Sequence, residues 1–102
     1  MIAEKFIVKE IDSKNGIILV ITDPELLGKK FETEMLQLDL SNSFYQGEKK
    51  SAEKVLAMIN KAYILHITGE KALRLVSDLG LIDQSKVLKI DNIPHAEVYL
   101  GE

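Results

Sequence analysis

The chain has 102 residues, 46% of them hydrophobic and 28% charged, with a formal net charge of −3 and no cysteine. That is one domain (residues 1–102) of soluble, globular composition, which excludes a disordered chain, a second core, disulfides and thiolate metal sites. The cations are nearly all lysine, with Arg74 the only arginine, and this argues against extended nucleic-acid binding, which relies on a basic excess and on arginine forks. The longest apolar run, Ile17 to Ile21, is far too short to cross a bilayer. Met1 to Lys5 carries an acid and lacks a long apolar core, so it does not read as a signal peptide. No membrane association and a cytoplasmic location are expected.

In chain order, Lys5 to Asp12 reads as a strand, and Asn15-Gly16 between apolar runs predicts a hairpin turn with both central residues at positive φ. Ile17 to Ile21 is a continuous β-branched run, as expected of a strand covered on both faces. Asp23 before Pro24 reads as an N-cap with proline in the first helical position, and Gly28 follows so soon that the segment is either a one-turn helix or an irregular loop. Met35 to Leu40 alternates and predicts a strand with one wet face, and Ser41 to Lys50 reads as a polar loop carrying Phe44-Tyr45 before Gly47.

Ser51 caps the first long helix, whose apolar stripe is Ala52, Val55, Leu56, Ile59 and Ala62. Tyr63 to Ile67 is the next strand. Thr68-Gly69 then turns into a second helix with Ala72, Leu73, Val76 and Leu79 inward, closed by Gly80 with Leu81 behind it. Val87 to Asp91 and Ala96 to Leu100 close the chain as strands around an Asn-containing turn. The expected fold is therefore α+β, a mixed sheet of about five to six strands with two main helices packed mostly on one face. A crossover through Ser51 to Lys61 is right-handed if it joins parallel strands.

The candidate chemistry is sparse. His95 follows Pro94 at a strand start, where a stiff backbone holds an imidazole suited to proton transfer or metal ligation near neutral pH. His66 lies within an apolar strand, where a histidine is more often a satisfied structural residue. No third ligand stands at metal-motif spacing from the two histidines, and neither a metal site nor a cofactor is assigned. Gly69-Glu70 opens a helix after a strand, a place that attracts small anions, but the earlier glycine of a phosphate loop is missing because Ile64 stands there. Phe44-Tyr45 puts two aromatics in a polar loop, either as core cover or as a recognition surface. No serine has nucleophile-elbow surroundings, and no carboxylate pair demands an acid–base role.

Four pieces in order, Asp23 to Lys29, Ser43 to Gly47, Gly69 to Ala72 and Ile93 to Ala96, resemble the small archaeal family known as domain of unknown function 424. The likeness runs from the first hairpin to the last strand. It implies an archaeal cytoplasmic protein with a loose association with translation and no established activity, and it points to Gly28, Phe44, Tyr45, Gly47, Gly69, Glu70, Pro94 and His95. Family members often carry Asn where this chain has His66, so the resemblance gives that histidine no role.

From these residues the expected function is a non-enzymatic binding module for a protein or ribonucleoprotein partner, with Phe44, Tyr45, Gly47, Gly69, Glu70, Pro94 and His95 forming its surface. The alternative is a small enzyme on an anionic substrate, with His95 as general acid/base and Glu70 orienting it. A small anionic ligand at the helix start and a homodimer through the edge of the terminal hairpin are also expected candidates.

Overall fold

A computed structural model of the protein describes residues 4–101; Met1 to Ala3, on which the reading of the N-terminus rests, and Glu102 lie outside the described residues. The strands are β1 (Lys5–Ser13), β2 (Gly16–Thr22), β3 (Lys30–Glu32), β4 (Gln37–Asp39), β5 (Glu48–Ser51), β6 (Ala62–Thr68), β7 (Leu88–Ile90) and β8 (Ile93–Tyr99). The helices are α1 (Ala52–Ile59) and α2 (Glu70–Ser77). Six strands form one sheet in the order β5-β1-β2-β6-β8-β7, and β3 and β4 pair separately as a small hairpin. Among the described residues only β2 and β6 are parallel neighbours; every other pair is antiparallel. The expected α+β architecture is the one that forms.

Strand alternation gives the sheet two different faces. Phe6, Val8, Leu19, Ile21, Leu65 and Ile67 point to one of them and pack with Val55 and Ile59 of α1 and Ala72 and Val76 of α2. This is the main core, and each of its larger side chains contributes roughly 1.5–3 kcal/mol by leaving water. The other face is covered by the segment between β2 and β5: Leu38 and Leu40 pack with Ile90, flanked by Leu26, Phe31, Tyr45 and Ile93. Among the described residues no helix is long and apolar enough to cross a membrane.

Several expectations are corrected. In the first hairpin Gly16 has φ 142 but Asn15 is not at positive φ; Lys14-Asn15 is the loop, and Ser13 pairs with Gly16. The turn with two left-handed residues is Asp91-Asn92 (φ 52 and 67), closing β7 onto β8, because Asn and Asp tolerate that region. The strand expected from Met35 shrinks to Gln37–Asp39, with Met35 88% exposed, since it pairs only with the three-residue β3, which the sequence pattern did not reveal. The expected loop from Ser41 to Lys50 contains a 3₁₀ turn (Ser43–Tyr45) and ends in β5, a lysine-bearing edge strand whose pattern is masked by charge. Ala62 leaves the α1 stripe to start β6, and Leu79, beyond the end of α2, is exposed and not inward.

Candidate functional site

On the face turned away from the helices, β6 and β8 run antiparallel with Thr68 opposite His95 and His66 opposite Glu97. β2 continues both rows, with Thr22 beside Thr68 and Val20 beside His66. The Thr68 hydroxyl and His95 Nδ1 share a hydrogen bond of 2.8 Å. His66 Nδ1 lies 3.9 Å from a Glu97 carboxylate oxygen, and the two imidazoles are 6.2 Å apart between ring centres. The Thr22 hydroxyl is buried in the same row with no partner, an arrangement that usually holds an ordered water.

Phe44 completes the group from the covering segment. Its ring meets His66 edge-on at 5.1 Å and Tyr45 edge-on at the same separation, a favourable geometry for quadrupolar rings. The 3₁₀ turn that carries it is pinned at three points. The Asn42 side chain accepts from the Phe44 N–H at 2.9 Å. Lys9 Nζ donates to the Ser43 carbonyl at 2.7 Å. Gly47 lies against Val8, where a Cβ would strike the Val8 carbonyl.

Burial disfavours a charge on His95 at the centre of the site. Burial pushes the His95 pKa down, the neighbouring His66 pushes it further, and Glu97 opposes both. A base whose folded pKa lies below its unfolded one binds fewer protons in the native state. Its contribution to stability is therefore complete above the ordinary value of 6.5 and is lost as pH falls from there through the folded pKa. Urea titrations at a series of pH values are expected to show this loss below about pH 6.5 in the wild type and its attenuation in His95→Ala. A wild-type profile superimposable on that of His95→Ala contradicts the assignment.

The helix start is built differently. Asp23 does not cap the turn that follows it. Its carboxylate reaches across to α2 and accepts from the Lys71 N–H at 3.0 Å and the Ala72 N–H at 2.8 Å. Burial raises the Asp23 pKa, opposed by those two donors, while nearby Glu25 raises it and Lys71 lowers it. The amides expected to receive an outside anion therefore already face a carboxylate of the chain. Gly69 and Pro94 serve the frame, with the Gly69 N–H donating to the Pro94 carbonyl at 2.9 Å. Glu70 lines a separate cleft of about 310 Å³ with Glu25 and Arg74. It begins a helix of the opposite face, and no hydrogen bond links it to His95 among the described residues.

Of the residues singled out from sequence, the fold thus brings together Phe44, Tyr45 and His95, with Gly47 supporting their loop. Gly69, Pro94 and Glu70 belong to the α2 junction. Sequence reasoning weighed His66 but read it as a structural strand residue, and it missed Thr68 and Glu97 as members of the site. The signal for them was alternation: Ile64, His66 and Thr68 share a face, but only the β6–β8 register puts that face beside His95. Among the described residues no group of three His, Cys, Asp or Glu could hold a metal ion.

A model of the family described as "Protein of unknown function (DUF424)" matches residues 10–100. Among solved structures, the chain is similar to an uncharacterized conserved protein from Methanopyrus kandleri, at 21% identity and a TM-score of 0.78, over 96% of this chain and 94% of that one. The fold is shared with that protein. No curated protein matches the chain.

Proposed function

The chain belongs to the DUF424 family of proteins of unknown function, and from that premise we propose that it is a non-enzymatic binding module of the archaeal cytoplasm, accessory to translation or to a ribonucleoprotein. The observation that carries this reading is the ring cluster of Phe44, His66 and His95, half-buried on one sheet face and held by a pinned loop. Aromatic and imidazole rings on a rigid frame supply contact area at low entropic cost and accept stacked or apolar groups. The net charge of −3 and single arginine favour a protein partner or a small RNA site over a long phosphate track.

Sedimentation of the tagged protein in native cell extract tests it. Migration with ribosomal particles that is lost on nuclease treatment is the expected result; residence only at the top of the gradient counts against the reading. The alternative, an enzyme on a small anionic substrate, draws support from the Thr68–His95 hydrogen bond, which leaves Nε2 of a neutral imidazole for proton transfer. It requires an orienting acid other than Glu70, and Glu97, beside His66, is the nearest in the site.

A further inference from the structure

The flank of α2 that faces β7 borders a cleft of about 570 Å³ on the helix side of the sheet. Strand alternation supplies one wall. The even-numbered residues of β8 point toward the helices, Val98 among them, and Lys89 of β7 stands opposite Pro94 in the register. Residues paired across antiparallel strands share a face, so Lys89 rises beside α2. Helical spacing supplies the other wall, with Glu70, Arg74 and Ser77 about one turn apart along one flank. From Glu70 to Ser77 the helix advances about 10 Å. Leu73, Val87 and Pro94 give the cleft its apolar lining. Gln84 closes the end beside Ser77, to whose hydroxyl its amide donates at 3.3 Å.

Two cations meet in this cleft with no carboxylate bound to either. Arg74 is the chain's only arginine, and neither it nor Lys89 stands in an ion pair among the described residues. Lys71, by contrast, is taken by Glu25 at 3.0 Å, and the first free amides of α2 are taken by Asp23. Glu70 is the one carboxylate lining the cleft, a turn before Arg74 and at the end away from Ser77. We propose that the cleft binds a small phosphate monoester, its phosphate between Arg74 and Lys89 and its organic part against Leu73, Val87 and Pro94. A phosphate dianion balances two cations, and the guanidinium fork matches its oxygens in pairs. The volume and the length of the flank suit a molecule of nucleotide size, whose hydroxyls Glu70 can accept from. A chain of net charge −3 disfavours a long polyanion in the same place. The cleft lies on the side of the sheet away from the ring cluster, so this ligand does not depend on the proposed ribonucleoprotein role.

Amide NMR titration with adenosine monophosphate, ribose phosphate, adenosine and inorganic phosphate tests it. Expected are saturable shifts around Arg74, Ser77 and Lys89 with at least one of the two esters. Both cations are exposed, so the Kd is expected on the order of 0.1–1 mM. Inorganic phosphate should bind the same residues more weakly, and adenosine should not move them. Arg74→Ala is expected to weaken the ester at least about tenfold, and Arg74→Lys, which keeps the charge but loses the fork, by less. Lys49→Ala, on the β5 edge, is expected to change nothing. All three substitutions alter exposed side chains, and unchanged spectra away from each site establish that the variants are folded. Failure of both esters to saturate the cleft at millimolar concentration overturns the proposal, as does equal affinity for inorganic phosphate. An equal loss in Lys49→Ala marks general charge attraction and overturns it too. Shifts centred on Phe44, His66 and His95 move the ligand to the ring cluster and do the same.

Discussion

Gly69→Ala is expected to destabilise the fold by about 4 kcal/mol, summing the usual cost of a strained backbone and that of an overpacked methyl. Gly69 has φ 109, a region L-residues rarely enter, and a Cβ there would overlap the carboxylate group of Asp23. The glycine cannot retreat, because its N–H is bonded to the Pro94 carbonyl and its carbonyl accepts from the Leu73 N–H at 3.0 Å. It joins β6 to α2 at the one place where a carboxylate from another segment must come in close. Urea unfolding should show a large fall in midpoint with little change in slope. A loss under about 1 kcal/mol contradicts the close-approach account.

Asp23→Ala is expected to cost about 3 kcal/mol, because it strands two donors at the start of α2, one of them buried, beyond the usual loss of a cap. Asp23→Asn keeps one acceptor oxygen and should lose about half as much. The two sites also couple. In an Asp23→Ala background the alanine at position 69 no longer meets the carboxylate, so the double variant should be less damaged than the sum of the singles, by about 1 kcal/mol or more. The same urea titrations measure this, and strict additivity contradicts the contact. The raised Asp23 pKa adds a pH signature of the opposite sign to that of His95. A folded carboxyl with a raised pKa binds more protons than the unfolded one, so its contribution declines as pH rises from the ordinary value of 3.8 through the folded pKa.

Much of the frame was legible because its signals are local. The β-branched run of β2, the Ser51 cap, the Gly69 junction and the apolar positions of α1 and α2 each declare themselves within a few residues. The short elements did not. β3 and β5 are three and four residues long and rich in charge, and only their neighbours β4 and β1 make them strands. Asp23 was legible as a cap but not for which helix, since its donors lie 48 and 49 residues away. The site was half legible for the same reason. Phe44 and His95 stand out as residue types in unusual places, whereas His66 reads as strand interior until the β6–β8 register sets it beside Glu97 and the covering loop lowers Phe44 onto it.

The ring cluster as a binding surface is the central claim, and comparing His95→Ala with the wild type in the same extract gradient tests it most directly. Circular dichroism and a urea midpoint first establish that the variant is folded. The cluster being the recognition surface predicts that the folded variant leaves the ribosomal fractions, with its bound share reduced at least about tenfold, the scale of a truncated hot-spot residue. A folded His95→Ala protein that co-sediments as fully as the wild type contradicts it and leaves the two histidines, Phe44 and Thr68 as a structural cluster.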